Sequence, residues 1–149
     1  MKSRALLAAL LLSACAPEPE GSRRLAFSRL DVCLRVREAS EQTFRSQAEW
    51  EAFYSSNGGS GGSGVIDFSR QMVAARFDGT GSACVQFTYD GIEETDGRVT
   101  VRATRHVSPN PCILLLAYPQ AVLVVERSDL PVRWDIGERQ DAQPGRVCG

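Results

Sequence analysis

From Arg98 to Thr104 apolar and polar side chains alternate without a break, Val99, Val101 and Ala103 against Arg98, Thr100, Arg102 and Thr104. An extended chain points successive side chains to opposite faces, so this period of two predicts a strand with one dry and one wet side. The same period runs through Leu30, Val32, Leu34 and Val36, and through Ala83, Val85, Phe87 and Tyr89. Gln71 to Phe77, Cys112 to Ala117 and Ala121 to Glu126 are apolar-rich runs of strand length, and Gln42 to Arg45 and Val132 to Asp135 are shorter candidates. Asp90-Gly91, Asp96-Gly97, Pro109-Asn110-Pro111 and Tyr118-Pro119 punctuate them as turns or loops. About seven short strands separated by turn signals predict a mainly β domain, an antiparallel β-sandwich or a partly open barrel. A βαβ fold would need repeated helices between the strands.

One helix is predicted. Ser46 followed by Glu49 is a capping box, and Trp50, Phe53 and Tyr54 then share one helical face, so Gln47 to Ser55 should pack an aromatic stripe on the domain. After it, Asn57 to Gly64 reads Asn-Gly-Gly-Ser-Gly-Gly-Ser-Gly. No side chain there can bury area, which predicts a flexible surface loop with the composition of a linker.

The N-terminus has the order of an export signal: basic Met1 to Arg4, then the apolar run Ala5 to Leu12. That run is far short of the roughly 20 residues a membrane-spanning helix needs. It ends in Leu12-Ser13-Ala14-Cys15, which resembles the lipobox of bacterial lipoproteins. The resemblance implies that residues 1–14 are a signal peptide, that Cys15 carries lipid, and that residues 15–24, rich in Pro, Glu and Arg, are a tether ahead of a single domain at 25–149. Ala16, which is not Asp, implies by proteobacterial sorting rules a lipid-anchored place in the cell envelope at the outer membrane. Processing removes Lys2 and Arg4 and leaves 15 basic residues, all Arg, against 18 acidic ones. A mildly acidic domain with scattered charge gives no footprint for nucleic acid.

Four cysteines remain, Cys33, Cys84, Cys112 and Cys148. An even number in an exported chain predicts two disulfides, and no CxxC pair offers a zinc chelate. Three connectivities are possible; the preferred one joins Cys84 to Cys112 and Cys33 to Cys148. A search for catalytic motifs finds none. His106 is the only His, no GxSxG elbow accompanies it, and its position beside the 108–111 loop predicts an exposed side chain. Glu93, Glu94 and Asp96 lack the EF-hand spacing and read as solvated charges around a turn. The expectation is a non-enzymatic chain without metal or cofactor.

Three segments carry a family resemblance: Glu49-Trp50-Glu51-Ala52-Phe53; Val65-Ile66-Asp67-Phe68-Ser69-Arg70-Gln71-Met72-Val73-Ala74-Ala75; and Tyr118-Pro119 leading into Val122-Leu123-Val124-Val125. Together they resemble the PrcB-type domain (protease complex subunit, C-terminal) of bacterial lipoproteins. The resemblance implies a β-rich domain and an accessory role, stabilising an exported protease or protein complex. Where that family has a Thr-Gly-Gly-Tyr-like turn, this chain has Gly79-Thr80-Gly81-Ser82-Ala83-Cys84, without the aromatic residue. A similar turn is a contact loop in chagasin-like protease inhibitors of immunoglobulin-like fold, which makes such an inhibitor the alternative. Gly79, Thr80, Gly81, His106 and Asn110 are the candidate partner-contact positions.

Overall fold

The structure is a computed structural model and describes residues 21–59, 62–109 and 116–141. Ten strands and one helix follow in chain order among these residues: β1 Arg23–Arg24, β2 Phe27–Arg29, β3 Ala39–Phe44, α1 Gln47–Ser56, β4 Gln71–Asp78, β5 Gly81–Ser82, β6 Val85–Thr95, β7 Arg98–Val107, β8 Leu116–Ala117, β9 Gln120–Glu126 and β10 Val132–Gln140. The first four-stranded sheet has the order β1-β6-β7-β10, the second β2-β9-β4-β3, and β5 pairs with β8 alone. The fold is mainly β and sandwich-like, and it is not a closed barrel.

The central strands of the second sheet, β4 and β9, are buried on both faces, which explains their unbroken apolar runs. Met72 and Ala74 of β4 and Ala121, Leu123 and Val125 of β9 face the first sheet, where they meet Val99, Val101, Ala103, Ile92 and Trp134. The residues between them, Val73, Ala75, Phe77, Val122 and Val124, face the other way, onto Trp50, Tyr54, Phe44, Val32, Leu34 and Val36. Helix α1 and the 30–36 segment thus form a third layer. The helix begins as its sequence predicts: Ser46 caps it by accepting from the Glu49 amide at 3.3 Å, and Glu49 reaches back to the Arg45 amide at 3.2 Å. Trp50 is fully buried, and Phe44 packs against it with ring centroids 5.3 Å apart.

Four expectations need correction. Residues 30–36 keep the predicted alternation, with Val32, Leu34 and Val36 buried, but they join no sheet. Their backbone is satisfied another way: the Gln120 amide group accepts from Leu34 N at 3.3 Å and donates to Leu34 O at 3.2 Å, and Arg35 N donates to Asn57 O. The side chain of Gln120 thus replaces a neighbouring strand. Asp90-Gly91 is not a turn; it is a bulge inside β6, where the register skips between Tyr89 and Gly91. Only Asp96-Gly97 turns the β6–β7 hairpin. The sandwich is not wholly antiparallel, because β10 enters beside β7 in parallel after the chain has crossed from β9 in the other sheet. The described ends of the Gly/Ser loop are packed, with Trp50 Nε1 donating to Ser63 O at 2.8 Å and Gly59 N to Tyr54 O at 3.0 Å.

The sheet also begins earlier than residue 25. Arg23 and Arg24 pair with Glu94 and Glu93, Leu25 N donates to Ile92 O, and the chain then crosses to the second sheet to pair Phe27–Arg29 with β9. This short segment joins the two sheets along one open side.

Candidate functional site

A cleft of about 1120 Å³ opens where the chain enters the sandwich. One wall is the turn before β4. Asp67 organises that turn: its Oδ1 accepts from the Ser69 amide at 3.1 Å and the Ser69 hydroxyl at 2.5 Å, while its carbonyl accepts from the Arg70 and Gln71 amides. The Ser69 hydroxyl is the main reason the Asp67 carboxyl lies below the ordinary aspartate range. Arg127, just past β9, locks this turn in place. Its amide donates to Arg70 O at 2.8 Å, and its guanidinium donates to Phe68 O at 2.5 Å and Arg45 O at 3.1 Å.

The opposite wall is built on Arg23, which sits between Glu94 (Nη2 to Oε1, 3.1 Å) and Glu126 Oε1. The Glu94 carboxyl is held below the ordinary glutamate range, chiefly by the hydroxyl of buried Ser128 and then by Arg23. Arg23 is correspondingly shifted upward by its two carboxylate partners. Phe27 leaves 37% of its surface exposed at the cleft and meets Tyr89 edge-on with centroids 6.3 Å apart. Arg70 is exposed and makes no ion pair among the described residues. The cleft thus combines the partly open Phe27 ring, the exposed Arg70 guanidinium and the exposed Ser28. Asp67, Glu94 and Glu126 are already engaged by neighbouring residues.

The sequence-predicted contact positions lie elsewhere. Gly79, Thr80 and Gly81 follow β4 at the end opposite the Asp67 turn. Gly79 adopts φ +77°, Thr80 is exposed, and the Thr80 amide donates to Arg37 O at 3.2 Å. Ser108 N donates to Cys84 O at 3.1 Å, so the segment after β7 is tied to the close of this turn.

His106 is not exposed. It retains 9% of its surface, with Nδ1 2.7 Å from Asp141 Oδ1 and Nε2 2.8 Å from Thr88 Oγ1. The misreading came from its neighbourhood in sequence: the loop beyond it says nothing about the residue 35 positions away that caps it. Asn110, Cys15, Cys112 and Cys148 lie outside the described residues; Cys33 is exposed and Cys84 half-buried. Glu93 pairs with Arg102 at 3.0 Å and Glu94 with Arg23, and no His, Cys, Asp or Glu cluster able to hold a metal occurs among the described residues.

None of the candidate contact positions lines the cleft; Asp67 to Arg70 enter the sequence argument only through the family resemblance. Arg23 was assigned to the tether, and its partners are 71 and 103 positions away, beyond the reach of any local pattern. No family model, curated protein or solved structure matches the chain.

Proposed function

We propose that this chain is an envelope-anchored lipoprotein whose domain acts as a non-enzymatic binding and accessory module for an exported protein. The observation that carries the reading is the position of the cleft. Arg23 is both the first strand residue after the Pro-rich segment and a wall of the cleft, so the tether of this reading and the cleft meet at one end of the molecule. Seven residues lie between Cys15 and Arg23, a reach of at most about 29 Å in extended chain. A lipid on Cys15 therefore keeps the cleft close to the membrane, where other anchored or exported chains pass.

The PrcB-type resemblance supports the same reading, since its most recognisable segment, Asp67-Phe68-Ser69 through Met72-Val73, begins with Asp67 and Ser69 at the cleft. The two-bridge framework belongs to this proposal as well. In it Cys84 would pair with Cys112 and Cys33 with Cys148. Reduction of the exported chain should then raise its mass by about 4 Da.

The test is site-specific photocrosslinking in the native host. A benzophenone side chain at Ser69 should capture one envelope protein, and the same group at Thr80 should not. Capture at Thr80 alone would overturn the cleft as the binding surface and favour the second reading, a chagasin-like protease inhibitor. That reading is favoured by the Ser108–Cys84 bond, which ties the segment after β7 to the end of the 79–84 turn. Anchoring has its own check: radiolabelled palmitate should enter the native chain and not the Cys15→Ala variant.

A further inference from the structure

The edge of the first sheet is only partly covered. Strand β1 pairs with Glu93 and Glu94, Leu25 N reaches Ile92 O, and there the chain leaves for the other sheet. Residues Val85 to Tyr89 of β6 are left with β7 on one side and no strand on the other among the described residues. The direction of their backbone groups follows from the register. Ser108 N donates to Cys84 O, and Val85 stands opposite Val107. In an antiparallel ladder, bonded and non-bonded pairs alternate, so Cys84, Gln86 and Thr88 spend their N–H and C=O on β7. The N–H and C=O groups of Val85, Phe87 and Tyr89 therefore point out of the sheet.

Such an edge invites a further strand, and proteins usually guard it with charge. The other long edges here follow that rule. β10 carries Arg133, Asp135, Glu138 and Arg139, and β3 carries Glu41. Val85-Gln86-Phe87-Thr88-Tyr89 carries no charge and is rich in β-branched and aromatic residues. It is also self-complementary. Laid antiparallel against itself about Phe87, it sets Val85 opposite Tyr89 and Gln86 opposite Thr88, with no like charges facing each other.

We propose that this edge pairs with the same edge of a second copy of the chain, joining two four-stranded sheets into one eight-stranded sheet across a two-fold axis. The interface is isologous and closes at two chains, because each copy offers one such edge among the described residues.

The test uses the full-length chain as the cell processes it, in density-matched detergent. Sedimentation equilibrium should give a mass of two chains at micromolar concentration. Amide hydrogen exchange supplies the signature of the edge: Val85, Phe87 and Tyr89 should exchange faster on dilution, while Gln86 and Thr88 stay protected throughout. Val85→Pro removes an outward donor without touching the β7 ladder and should raise the dimer dissociation constant at least tenfold. Gln86→Arg, which keeps every backbone group, should raise it several-fold, and more so at low salt. A one-chain mass at all concentrations would overturn the proposal. So would a two-chain mass with concentration-independent exchange at the three odd positions.

Discussion

Ser128 has two roles that only the folded chain reveals. Its hydroxyl accepts from the Leu130 amide at 3.2 Å, and it also holds down the Glu94 carboxyl. Because the folded value of Glu94 is depressed, its contribution to stability is fully present above the ordinary glutamate value, about 4.3. It is lost as pH falls through the lower folded value. Urea midpoints measured between neutral and acid pH should therefore drop on acidification, and Glu94→Gln or Ser128→Ala should flatten that drop. At Gly79 the constraint is steric. With φ at +77°, an added Cβ would lie 2.9 Å from Arg37 O, so Gly79→Ala combines backbone strain with a backbone clash. Denaturant unfolding should register a loss of about 1–3 kcal/mol. The Glu94 partner of Ser128 and the Arg37 neighbour of Gly79 both lie far along the chain, beyond any local pattern.

Among the elements, helix α1 was the most legible, because a capping box and an aromatic stripe are both complete within ten residues. Its anchoring was not. Trp50 is buried under Phe44 of β3 and Tyr54 of its own helix, and its indole N–H reaches Ser63 across the Gly/Ser loop. Trp50→Ala should lower the unfolding free energy by about 3–5 kcal/mol in denaturant titration, the range for a large buried aromatic. The 30–36 segment teaches the converse. Its alternation correctly named the buried side chains, yet alternation reports burial on one face and not which group bonds the backbone. Here that group is Gln120, 86 positions from Leu34. Gln120→Ala should cost about 1–3 kcal/mol by leaving the Leu34 N–H and C=O without their partner. It should also speed amide exchange at Leu34 more than in β4.

Across the whole molecule, one charged chain ties the two sheets together. Glu41 of β3 pairs with Arg76 of β4 at 2.6 Å, Arg76 with Asp78 at 3.4 Å, Asp78 with Arg105 of β7 at 2.7 Å, and Arg105 with Glu138 of β10 at 2.9 Å. Asp78 is its hinge, with 13% of its side chain exposed and a guanidinium on either side. Removing it would leave two partly buried arginines facing each other, so Asp78→Ala should destabilise the domain by about 1–3 kcal/mol, measured by thermal unfolding. The loss should change little with salt, because the pair is shielded from solvent ions. At the other end of β4 lies the cleft, so that strand carries the inter-sheet bridge at one end and the candidate binding surface at the other.

What the residues determined alone was everything set by near neighbours. The period of two in 98–104, the twin apolar runs at 71–77 and 121–126, the helix cap at Ser46 and the hairpin at Asp96-Gly97 each need only a few consecutive positions to state their case, and the mainly β, sandwich-like fold follows from them. What tertiary structure decided was every pairing over distance: the parallel docking of β10 on β7, the burial of His106 beneath Asp141, and the meeting of Arg23 with Glu94 and Glu126. Local side-chain patterns follow from the geometry of a short extended or helical segment. The partner that finally satisfies a charge or a backbone group depends on how whole sheets stack, and no stretch of sequence carries that by itself.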